Sequence, residues 1–83
     1  MEEYLMTARS VTQAQRMMQA LSQHGIRAAM GRSPVGLTGS GCGYVLRMQG
    51  QRAEDAAALL RGVGLAPLRI YVRDGSGYSE VEL

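Results

Sequence analysis

Cysteine occurs once in the chain, at position 42, with glycine on both sides in the run Ser40-Gly41-Cys42-Gly43. Gly36 and Gly39 precede that run. Glycine suits positions where the backbone takes positive φ or where another group must come close. Flanking glycines leave the thiol without a neighbouring side chain to shield it. Their amides can also turn toward one point and favour an anion there. The pattern fits a presented, partly ionised thiol. It fits equally a tight turn around a small buried hydrophobe, because free cysteines are often buried. Exposure and electropositive surroundings separate the two readings.

No second catalytic group accompanies the thiol. His24 is the only histidine, and no two carboxylates are spaced for acid–base work. One cysteine cannot close an internal disulfide, and it cannot supply the several ligands of a self-contained zinc or iron–sulfur site. All nine basic residues are arginine, so lysine Schiff-base chemistry and a P-loop lysine are excluded. A thiol without a base suits a carrier or a redox-exchanged group better than a hydrolase. The net charge of +2 is mild and does not by itself point to nucleic acid. A lone thiol fits a reducing, cytoplasmic setting. No apolar run is long enough to cross a bilayer, and no signal segment is expected at the start.

The elements that must position Cys42 follow from periodicity. Residues 3–8 read as a short strand. Ser10-Val11-Thr12-Gln13 is a capping-box pattern opening a helix with an apolar stripe at Val11, Ala14, Met18 and Leu21, closed by Gly25. Ile26, Ala28 and Met30 alternate with Arg27, Ala29 and Gly31 as a second strand. Tyr44, Leu46 and Met48 alternate with Val45, Arg47 and Gln49 as a third. A second helix is expected from about Gln51 to Val63. Glu54 and Asp55 fall in its first turn, Ala53, Ala56, Ala57, Leu60 and Val63 on its inner stripe, and Gly64 at its cap. Leu68, Ile70 and Val72 mark a fourth strand. Asp74-Gly75-Ser76-Gly77 is a turn, after which residues 78–83 form either a fifth strand or a loose tail.

Strand, helix, strand, strand, helix, strand, with two amphipathic helices over one sheet, is the order of an α+β, ferredoxin-like βαββαβ two-layer sandwich. The expectation is a single domain over 1–83, with a core of about 3–73 and a C-terminal hairpin or tail at 74–83. The sheet face away from the helices is expected to be open and to carry Arg27, Arg47, Arg69 and Arg73. The loop with Ser40, Gly41, Cys42 and Gly43 then shares a pole with the start of the first helix. Arg9, Ser10, Thr12 and Arg32 are the candidate thiolate stabilisers there, since a helix N-terminus and a nearby guanidinium both lower a thiol pKa.

These residues carry a resemblance. Tyr4-Leu5-Met6-Thr7, the capped helix from Ser10 to Gly25 and Ser40-Gly41-Cys42-Gly43 resemble the small selenium/sulfur carrier-like domain family, over roughly residues 3–72. The resemblance implies a cytoplasmic protein that holds sulfur or selenium on Cys42 as a persulfide or perselenide. It implies a cysteine desulfurase-like donor and a separate acceptor, with no cofactor beyond the carried atom and no metal.

Two other classes compete. A regulatory or protein-interaction domain, dimerising or sensing a small ligand, is compatible with the same fold. An RNA-recognition-like module has the same strand order, and Gly41-Cys42-Gly43-Tyr44-Val45 echoes its aromatic strand motif. Cys42 stands where that motif needs a stacking ring, and the alternation points Tyr44 inward. Nucleic acid is therefore the disfavoured partner, and no membrane is implied.

Overall fold

Apolar alternation in the strands and a single apolar stripe on each helix oblige the chain to stack helices on one face of a sheet. The computed structural model, which describes residues 2–33, 43–75 and 77–83, has that arrangement. The elements are β1 (Glu3–Thr7), α1 (Val11–Gln23), β2 (Ala29–Arg32), β3 (Tyr44–Gln49), α2 (Gly50–Gly62), β4 (Ile70–Asp74) and β5 (Gly77–Val81). Their sheet order is β2-β3-β1-β4-β5, with every neighbouring pair antiparallel. This is the α+β, ferredoxin-like sandwich the sequence predicts, extended by a fifth strand outside β4. Residues 77–81 are thus a strand, paired from Asp74↔Gly77 to Ile70↔Val81.

Each helix is set by its ends. Ser10 is the N-cap of α1, and its Oγ accepts from the Gln13 amide at 3.1 Å. Gln13 Oε1 reaches back to the Arg9 amide, one residue before the position that a standard capping box serves. At the other end Gly25 takes φ +73, its amide donates to Ser22 O at 3.1 Å, and the Ile26 amide donates to Leu21 O at 2.9 Å. That is a full Schellman motif. Gly64 repeats it for α2, with Leu65 N–H donating to Leu60 O at 2.8 Å.

Several expectations shift by a residue or more, each for a local reason. Met17 rather than Met18 is the fully buried methionine of α1, and Val11 is exposed because it occupies the first helical position, at the end of the stripe. Ile26 is buried as the apolar partner of the α1 cap, so β2 begins only at Ala29 and Arg27 lies before it. The second helix starts at Gly50, where the amide donates to Glu2 O at 2.9 Å, so Glu54 and Asp55 belong to its second turn. Val63 is the C-cap of α2 and half exposed, while Ala53, Ala56, Ala57 and Leu60 are buried as the alanine stripe implies.

The main core joins Met6, Leu46 and Ile70 of the sheet to Met17, Leu21 and Leu60 of the helices. The opposite sheet face is not bare. Leu5, Val45 and Tyr71 form a second buried cluster there, with Tyr78 of β5 packed against it. Of the arginines expected on that face, Arg69 pairs with Glu80 at 3.1 Å and Arg73 with Glu3 at 3.6 Å.

Candidate functional site

Antiparallel pairing sends β1 and β2 toward the same pole, and β3 starts back from it. The C-terminal end of β1, the start of α1, the end of β2 and the start of β3 therefore meet there. The pole is tied to β4 through Thr7. Thr7 Oγ1 accepts from the Arg69 amide at 2.9 Å and donates to Arg69 O at 3.3 Å, while the Leu68 amide donates to Thr7 O at 3.0 Å. Thr7 is the one buried polar side chain among the described residues, and its hydroxyl is fully used.

The segment between β2 and β3 enters and leaves through a closed base. The Ser33 amide donates to Gly43 O at 2.6 Å. Gly43 takes φ +84, in the left-handed region, and a Cβ built there would meet nothing within 4 Å. Glycine is therefore required at 43 by backbone conformation and not by crowding. One residue further on each side, Arg32 and Tyr44 are register partners, and the Arg32 guanidinium carbon lies 5.8 Å from the Tyr44 ring centroid. That distance allows a cation–π contact.

The start of α1 adds polarity of the right sign. Gln13 N–H is held by Ser10 Oγ and Ala14 N–H by Ser10 O at 2.9 Å. The first turn of α1 carries no acidic side chain. The partial positive charge of the helix end is thus uncompensated within α1. Arg9, Ser10 and Thr12 are all exposed at this end, as is Arg32 at the end of β2.

Of the predicted site residues, the fold brings Arg9, Ser10, Thr12, Arg32 and Gly43 to one pole. Ser40, Gly41 and Cys42 lie outside the described residues. His24 sits at the opposite end of α1, exposed, with Nδ1 3.1 Å from Ala20 O. From Ser10 to His24 the helical rise amounts to roughly 21 Å, more than an imidazole side chain spans. Among the described residues no group of three histidine, cysteine or carboxylate side chains is placed to hold a metal ion, and no helix is long and apolar enough to cross a membrane.

Sequence reasoning missed Thr7, whose role depends on a residue 62 positions away, a pairing without local signal. It also missed Gly31. A Cβ at that position would stand 2.5 Å from Arg47 Nη2, so the Arg47 side chain lies across it. The signal was available in the alternation that places Arg47 and Gly31 on one sheet face, but only once the β2–β3 register is known.

Comparison with known proteins adds one match. The family model described as "Putative Se/S carrier protein-like" matches residues 3–72. No curated protein and no solved structure matches the chain.

Proposed function

We propose that this protein, which belongs to the Se/S carrier-like family, holds one sulfur or selenium atom on Cys42 and passes it to an acceptor. Membership of that family is the observation that carries the reading. The lone thiol, its flanking glycines and the pole that frames the β2–β3 segment support it.

The chemistry asks little of the protein beyond a reactive thiolate. The Cys42 thiolate attacks the outer sulfur of a donor persulfide, R–S–SH. A new S–S bond forms on Cys42, the donor S–S bond breaks, and the donor leaves as its thiolate. No external oxidant is consumed, because the transferred atom arrives already at the sulfane level. Delivery to the acceptor is the same exchange in reverse. A perselenide follows the same balance, with selenium as the outer atom. The rate depends on the fraction of thiolate and on access.

The residues at the pole contribute electrostatics. The first amides of α1, without an acidic neighbour in the first turn, and the guanidinium groups of Arg9 and Arg32 favour an anion on the segment between Ser33 and Gly43. His24 takes no part. A cysteine desulfurase-like enzyme is the donor class whose own cysteine persulfide matches this exchange, and the setting is the reducing cytoplasm.

The test is a transfer assay. The protein is incubated with a cysteine desulfurase and isotope-labelled cysteine, or with a selenocysteine-cleaving donor, and label is mapped by peptide. The expected result is label on the Cys42 peptide of the native protein and none in the Cys42→Ser variant. Label absent from the native protein, under conditions that load a known acceptor, would remove the basis of the proposal.

A further inference from the structure

We propose that the flank made by α1 and the outer edge of β2 binds an extended, carboxylate-bearing segment of another protein, which joins the sheet as a strand beside β2. Charge is distributed asymmetrically along the chain. From Tyr4 to Ala53 the chain contains six arginines and neither aspartate nor glutamate, while all seven carboxylate side chains lie at positions 2, 3, 54, 55, 74, 80 and 82. The fold turns this into a spatial separation. The stretch supplies β1 in the middle of the sheet and α1, β2 and β3 on one side of it, with β2 at the edge and α1 packed on β2 and β3.

The ion pairs among the described residues lie within α2, between the start of β4 and β5, and between β4 and β1. Arg52 pairs with Asp55, Arg69 with Glu80 and Arg73 with Glu3. Arg9, Arg16, Arg27, Arg32 and Arg47 are exposed, and none is in a salt bridge with any described residue. On the sheet face away from the helices, Ala29 and Gly31 fall on one side of β2 by alternation, and Arg47 is the register partner of Ala29. The Arg47 guanidinium extends over Gly31, whose lack of a side chain leaves it room. Arg27 and Arg47 line one cleft of about 430 Å³ along this edge. Glu3 borders the same cleft, with Arg73 as its partner at 3.6 Å.

Between these cations runs a free strand edge. β2 ends the sheet order, so among the described residues no strand neighbours the outward backbone groups of Ala29–Arg32. An edge of that kind is a template for an added strand, with main-chain hydrogen bonds giving affinity and flanking side chains giving specificity. The charges select the occupant. Antiparallel pairing with a second copy of β2 would set the Arg27 and Arg32 of one chain against those of the other, a like-charge arrangement that disfavours it. A nucleic acid offers phosphates but no strand to add. Tyr44, the only aromatic residue between positions 8 and 49, is half-buried against the main core and offers no open stacking platform. A polypeptide with carboxylates on alternate residues satisfies the edge and the arginines together.

The inference is independent of cysteine chemistry, so the Cys42→Ser protein serves for its test, and a failed sulfur transfer leaves the result untouched. The probe is a short fluorescent peptide of alternating threonine and glutamate, followed by anisotropy at low salt. The comparison probes are the same peptide N-methylated at alternate backbone amides and an oligothymidylate of equal charge. Expected are binding of the peptide, a loss of about five- to tenfold in the Arg27→Gln/Arg47→Gln variant, in line with two exposed ion pairs, and little change in Arg73→Gln. N-methylation should abolish binding, and the peptide should slow amide exchange within Ala29–Arg32. Binding unaffected by the double substitution, equal binding of the N-methylated peptide, tighter binding of the oligonucleotide, or a peptide-free dimer protected at β2 would each overturn the proposal.

Discussion

Replacing Gly43 by alanine isolates the backbone demand at the mouth of the cysteine-bearing segment. A Cβ there meets no atom within 4 Å, so packing contributes nothing and conformation decides the outcome. Holding a non-glycine residue at φ +84 costs about 1–2 kcal/mol. Alanine recovers about 0.4–1 kcal/mol by restricting the unfolded chain. The net loss is about 1 kcal/mol, or roughly 4–8 °C in Tm for a domain of this size. Gly62 provides the internal control. It is the last residue of α2, and a Cβ there also meets nothing within 4 Å. Gly62→Ala therefore gains both helix propensity and unfolded-state entropy, about 0.5 kcal/mol at a helix end. Both variants delete a glycine and add one methyl group, yet their effects should have opposite sign. Thermal and urea melts of native, Gly43→Ala and Gly62→Ala protein provide the comparison. Gly43→Ala stability equal to or above native would refute the claim that the Ser33–Gly43 base is held in a left-handed turn.

Three further outcomes are expected. Thr7→Val keeps shape but strips the Arg69 amide of its acceptor, and should destabilise by about 1–3 kcal/mol, with Thr7→Ser much closer to native in the same melts. Leu60→Ala, at the fully buried leucine of α2, should cost about 2–5 kcal/mol by urea titration. Arg9→Ala should raise the pH at which Cys42 alkylates, because a cation near the pole favours the thiolate, whereas His24→Ala should leave the profile unchanged. A thiolate stabilised by positive charge forms at lower pH, so losing that charge moves the alkylation midpoint up toward the ordinary thiol value of about 8.5.

Much of the frame was legible because its signals are local. Ser10 with Gln13, and Gly25 with Gly64, are capping chemistry confined to a few residues, and the structure uses all four. The alternation at Tyr44, Leu46 and Met48 correctly turned Tyr44 toward the helices and Arg47 away from them. What escaped depends on distant partners. Gly50 begins α2 where its amide donates to Glu2 O, a contact across the end of the β1–β3 pair that no local pattern announces. Val45 looked like a residue of an open sheet face and residues 3–8 alternate too poorly to assign Leu5 a face, yet both are buried with Tyr71, and Tyr78 reaches that cluster only because β5 folds back on β4. Ile26 read as strand because its apolar neighbours alternate, but the α1 cap claims it first. At the site, the sequence indicated the pole and the residues that frame it. It could not reveal Thr7 as the tie between β1 and the start of β4, nor Gly31 as the seat of the Arg47 side chain.

Carriage of sulfur or selenium on Cys42 is decided by the intact mass of the protein purified without reductant from cells supplied with cysteine and selenite. Expected is a population heavier by one sulfur or one selenium atom, mapped to Cys42, released by dithiothreitol and absent from Cys42→Ser. A single unmodified species, with Cys42 alkylating only near the ordinary thiol pH, would contradict it and leave Cys42 as an unreactive small residue.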